Sequence, residues 1–216
     1  MSKYEVMNNR ELERRVKRDE LGAIHELSRR LVQGIGIAED HARGFALAKY
    51  GTEKGFVKSK TVLGYCYFYG KGVPVDEKHG VCLFREAAEG GHDAAQYNMG
   101  IAYERGTVIP GDYELAYEWY QKSADQDFAK AFYKLGFFHE MGYGRPKDLI
   151  KAFRFYKESA EKGYRKAQYV LGLGYANGTG VLKNKDKAMF WLGKAAEQNF
   201  PPAIVKLRAL RREFSE

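Results

Sequence analysis

Apolar residues recur along this chain three and four positions apart, in short stretches separated by glycine, proline and aspartate. Within residues 95 to 130, Ala95, Met99, Ala102 and Tyr103 mark one stripe, and Ala116, Trp119, Tyr120 and Ala124 mark a second. That spacing puts each set on one face of an amphipathic helix. Gly106 stands where the first helix must stop in a left-handed residue. Asp112 stands where a side-chain oxygen can cap the second helix. The stretch reads as helix, turn, helix, turn.

The same unit recurs without a gap. Leu27, Leu63, Met99, Leu135, Leu171 and Leu207 lie 36 residues apart, as do Gly34, Gly70, Gly106, Gly142 and Gly178. Asp40, Asp76, Asp112 and Asp148, then Asn184, form a third series. A fixed period of this size marks a stacked array, so the pattern predicts an all-α fold of antiparallel helix pairs. The repeats fall at 23–58, 59–94, 95–130, 131–166 and 167–202, flanked by cap helices in 1–22 and 203–216, as one domain over 1–216. Gly64, Gly100, Gly136 and Gly172 sit inside the first helices, where glycine costs about 1 kcal/mol relative to alanine. Close approach of the paired helix is the gain that would offset that cost. Second helices end at Gly55, Gly91, Asp127, Gly163 and Asn199, residue types that tolerate left-handed geometry. In the caps only Leu12 and Val16 of the second-helix stripe survive at the N-terminal end, and Arg208 replaces the helix glycine at the other.

The segment Ala95-Gln96-Tyr97-Asn98-Met99-Gly100-Ile101-Ala102-Tyr103-Glu104-Arg105-Gly106 resembles the first helix of a Sel1-like repeat, as does Ala167 to Val181. The stretch Lys187-Ala188-Met189-Phe190-Trp191-Leu192-Gly193-Lys194-Ala195-Ala196-Glu197 resembles its second helix. The resemblance covers about residues 23 to 202, with departures at Ser28, which replaces a helix glycine, and Val108, which replaces a turn glycine. Relatives of the tetratricopeptide repeats, these proteins form right-handed α-solenoids. By that analogy the inward-facing positions are Tyr65, Phe68 and Tyr69; Ile101, Glu104 and Arg105; Phe137, Glu140 and Met141; and Leu173, Ala176 and Asn177. The implied function is a non-catalytic interaction module holding a peptide or protein in a concave groove. Tyr65, Phe68 and Tyr69 would form an exposed anchor, since aromatics dominate binding hot spots. Alternatively, Tyr65 and Phe137 pack between repeats. The family resemblance also permits an inhibitor or immunity-type protein that occludes one enzyme or toxin. Its cysteine-rich members, linked to penicillin binding, suggest a β-lactamase-type hydrolase, but the repeated cysteines are missing here.

Composition narrows the options further. An aromatic share of 14% argues against disorder. The net charge of +8 is spread along the predicted helices, so it mainly solvates outer faces while leaving an acidic partner surface possible. There is no long basic run, and nucleic acid is not an expected partner. Met1 to Leu21 is charged throughout, and no apolar run is long enough for a membrane span, so a cytoplasmic protein is expected. Cys66 and Cys82 do not recur at the period, which suits reduced thiols on neighbouring helices. His25, His41, His79, His92 and His139 show no metal-ligand spacing. His79 should sit in an exposed first turn, and His139, in the place of a repeated tyrosine, should pack in the core. Asn177-Gly178-Thr179 reads as a turn. No catalytic, cofactor or metal residue is assigned, and the pattern carries no signal for oligomeric state.

Overall fold

The computed structural model describes residues 2–213, so the C-terminal cap expected over 203–216 lies partly outside the described residues. The described residues form twelve helices and no strand. Two compact units divide the chain at 111/112, between the helices of the third repeat.

In the first unit, α1 (Asn9–Val16), α2 (Leu21–Gln33), α3 (His41–Glu53), α4 (Val57–Tyr69), α5 (Glu77–Glu89) and α6 (Asp93–Arg105) each pack on the next. The Asp40 carboxylate accepts the Arg43 N–H at 3.0 Å, and Asp76 accepts that of His79 at 2.9 Å, which starts α3 and α5. Ser28 takes the glycine position of the first repeat, and its hydroxyl donates to the Gly44 carbonyl at 2.7 Å. A hydroxyl can therefore occupy this close contact when it also satisfies a backbone oxygen. The first core cluster joins Val32, Ala48, Val62, Leu63, Cys66 and Leu83, with Tyr65 packed against it.

The N-terminal cap is held by more than its apolar stripe. Leu12 is fully buried, but the buried Glu26 carboxylate also pairs with Arg29 and Arg30 at 2.8 and 2.7 Å. The Arg30 guanidinium then donates to the carbonyls of Met7 and Glu5, both at 2.8 Å, tying the N-terminal segment to α2.

The second unit contains α7 (Tyr113–Ala124), α8 (Ala129–Met141), α9 (Leu149–Glu161), α10 (Arg165–Asn177), α11 (Lys185–Glu197) and α12 (Pro201–Glu213), again packed in sequence. Asp112, Asp148 and Asn184 cap α7, α9 and α11 through N–H groups 2.9 Å away. An N-cap of this kind stabilises by about 1 kcal/mol, so Asn184→Ala should lower the urea midpoint by a corresponding amount. Gly142 ends α8 at φ +77°, where the N–H groups of Gly142 and Tyr143 both donate to the Phe138 carbonyl. Asp127 and Asn199 adopt φ +66° and +53°, the left-handed geometry anticipated for non-glycine stops.

The helix glycines mark close contact. A Cβ added at Gly136 would lie 2.8 Å from the Tyr156 ring and 3.1 Å from the Ala152 carbonyl oxygen. Gly64 and Gly172 meet Phe84 and Leu192 in the same way, at 2.9 and 2.7 Å. Gly136→Ala should therefore destabilise the protein, because about 1–3 kcal/mol of overpacking exceeds the propensity gain. A lower thermal midpoint checks this. In the third repeat Val108 does change the turn: Gly36, Gly72, Gly144 and Gly180 adopt φ between +65° and +77° at this position, whereas Val108 has no positive φ. Arg208 is exposed on α12.

Candidate functional site

Most of the chain's apparent chemistry is absorbed by packing. His79 is exposed in the first turn of α5, and His139 is buried and stacked on Phe155 at 5.5 Å. Burial, with Arg145 and Lys151 nearby, lowers the His139 pKa. Cys66 is buried, which pushes its thiol up to about 12, while Cys82 is exposed; both are free. Among the described residues no group of three His, Cys, Asp or Glu side chains is placed to hold a metal ion.

In the first unit, α4 and α6 bring Tyr65, Phe68, Tyr69 and Arg105 together. The Tyr65 and Tyr69 rings are 4.5 Å apart, and the Arg105 guanidinium lies 5.0 Å from the Phe68 ring and 5.9 Å from the Tyr69 ring. Glu77 holds Arg105 at 3.7 Å and accepts the Thr107 hydroxyl at 2.9 Å. Burial raises the phenol pKa of both Tyr65 and Tyr69. The expected exposure of Phe68 is corrected here. Phe68 is only 2% exposed because its ring packs on Phe84 at 5.7 Å and its Cβ faces the α5 backbone at Gly80. Tyr69 remains exposed, Tyr65 is half-buried, and Ile101 and Glu104 are half-buried on α6.

In the second unit, α8, α9 and α10 enclose a cleft of about 330 Å³. Phe137, Glu140, Leu173 and Asn177 line it, all inward-facing by the sequence analogy. Met141 is 49% exposed and is not part of the lining, and Ala176 packs into the neighbouring cores instead. Sequence reasoning missed the contribution of α9: Leu149, Phe153 and Tyr156, together with Tyr133 on α8, complete the walls. Tyr156 reads from the period as core stripe, and its ring is indeed buried. Its hydroxyl, however, reaches the cleft and donates to the Glu140 carboxylate. Burial and that bond raise the Tyr156 pKa far above its ordinary value, so the phenol stays protonated as a donor. The available signal was a tyrosine at a position where Phe84 and Leu192 carry no hydroxyl, a signal weakened by Tyr120, which shares the position and carries one.

This geometry belongs to an all-α helix-pair repeat protein with a recessed, mostly apolar cleft. The Sel1 repeat pattern matches residues 22–56, 58–92, 93–128, 129–164 and 165–200, and the chain belongs to the Sel1 repeat family. A Sel1 repeat protein from Oxalobacter formigenes is similar in structure, with 29% identity and a TM-score of 0.76 over 88% of this chain and 78% of its own. A protective antigen present in uropathogenic Escherichia coli strains, displaying an SLR fold, shares 31% identity at a TM-score of 0.68; the match covers 91% of this chain and 42% of that one. An immunity protein from Pseudomonas aeruginosa shares the fold at 20% identity and a TM-score of 0.61, over 85% of this chain and 67% of its own. No curated protein matches. Sel1 repeat proteins are protein-interaction modules. No helix among the described residues is long and apolar enough to cross a membrane.

Proposed function

We propose that this chain is a non-catalytic binding module whose five repeats act as one domain, and that it docks a peptide or protein segment in the α8–α9–α10 cleft. The observation that supports this is the cleft itself: a recess of side-chain dimensions, walled mostly by apolar groups, with a few polar atoms from Glu140, Asn177 and Thr179. Ligand pockets in general have this composition, in which apolar walls provide affinity and sparse polar groups fix orientation. The exposed Tyr69 and Arg105 of the first unit offer a second contact surface, since Tyr and Arg are enriched at hot spots. A reducing compartment such as the cytoplasm suits the two free thiols.

Panning a phage-displayed peptide library on the immobilised protein tests the reading. Leu173→Asp should weaken the recovered peptides by about tenfold or more, because a carboxylate in an apolar wall is costly to desolvate. The helical circular dichroism signal should persist. Recovered peptides that bind Leu173→Asp as tightly as the parent would overturn the assignment to this cleft.

A further inference from the structure

Among the residues that wall the α8–α9–α10 cleft, Glu140 is the charged one. One of its carboxylate oxygens accepts the Tyr156 hydroxyl. Among the described residues, no lysine, arginine or histidine forms an ion pair with it. A carboxylate in a mostly apolar recess is expensive to desolvate unless hydrogen bonds or a counter-charge compensate it. Tyr156 supplies one compensating bond, and among the described residues no basic side chain supplies the counter-charge.

The surroundings favour a particular kind of counter-charge. The half-buried Tyr133 ring lines the cleft from the same helix as Glu140, 5.4 Å from the buried Tyr156 ring of α9 at a tilt of 46°. Aromatic faces beside a carboxylate attract cations through the ring quadrupole. Phe137, Val170 and Leu173 provide apolar surface in the same recess. A volume of about 330 Å³ is more than a bare ammonium group needs and leaves room for an aliphatic stem. Lysine and arginine side chains combine such a stem with a cationic head.

We propose that the cleft selects a lysine or arginine side chain of its partner, with the stem against Phe137, Val170 and Leu173 and the cationic head on Glu140. The inference deepens the docking role assigned above and rests on it. It separates local selectivity from the net charge of +8, which acts at long range and would steer the approach of an acidic partner surface. A basic residue within an otherwise acidic or neutral segment satisfies both.

Pools of short acetylated, amidated peptides, each with lysine, arginine, norleucine or glutamate at one position among apolar neighbours, provide the probe. Fluorescence anisotropy should show the lysine and arginine pools binding about tenfold more tightly than the norleucine pool. Glu140→Gln keeps an acceptor for Tyr156 and should abolish that preference. The glutamate pool should bind most weakly. A preference that persists in Glu140→Gln overturns the inference, as does equal binding of lysine and norleucine. Equal binding that still falls with Leu173→Asp leaves the docking role standing, whereas binding of no pool removes both.

Discussion

Truncating Phe68 to alanine is expected to lower the unfolding free energy by about 3–5 kcal/mol, a large part of the total for a domain. The ring is almost wholly buried, meets Phe84 at 5.7 Å and Tyr69 at 4.9 Å, and lies under the Arg105 guanidinium. Removing it deletes apolar contact and leaves a cavity between α4 and α5 that the tight glycine packing cannot close. Urea denaturation followed by circular dichroism reads the loss directly, and a change below about 1 kcal/mol would contradict the packing described. The consequence for function is practical. Replacing Tyr65, Phe68 and Tyr69 together would confuse a lost surface with a lost fold. Tyr65→Ala with Tyr69→Ala is the cleaner probe of the first unit's surface.

The second large effect is expected on acidification. His25 and His92 lie ring to ring, with centroids 6.2 Å apart, and Phe56 is 5.9 Å from His25. The Thr61 hydroxyl sits 2.6 Å from the His92 Nδ1, while the His25 Nδ1 is sealed from solvent without a partner. Burial lowers the His25 pKa to about 3, with His92, Arg29 and Lys58 adding repulsion. Burial also lowers His92 to about 4, opposed by Asp93 and assisted by Lys58. Both rings are therefore neutral in the folded chain. The unfolded chain takes up protons below about pH 6.5, so the stabilisation is present above that value and fades as pH falls toward 4. Between pH 7 and pH 4 the pair should account for a loss on the order of 3–6 kcal/mol. Urea titrations across this range should show uptake of about two protons on unfolding. His25→Phe should remove about half of the slope, and a flat stability profile from pH 7 to pH 5 would refute the assignment.

These two cases mark what the period can and cannot convey. The caps at Asp40, Asp76, Asp112, Asp148 and Asn184 were legible because capping is local: a side chain bonds to a backbone group two or three residues away. The helix glycines were legible because their cost in a helix demands a close neighbour. Phe68 was misplaced because the analogy assigns a direction by counting, and the burial of that direction depends on which side chain the partner helix presents. Glu140, Phe137, Leu173 and Asn177 were found by the same counting, since α8 and α10 do face one recess. Tyr156 was missed because the pattern classes whole residues as core or surface, whereas its ring and hydroxyl belong to different environments.

By itself the sequence determined the all-α class, the repeat length, the helix stops and starts, and the family, because each follows from interactions within a turn or between adjacent helices of one repeated unit. Only the tertiary structure decided which non-repeating side chains share a space. It placed the Tyr156 hydroxyl on Glu140, sealed Phe68 against Phe84, and set His25 beside His92. These pairs are separated by 16, 16 and 67 positions in the chain, and their contact depends on how whole helices pack rather than on any local spacing.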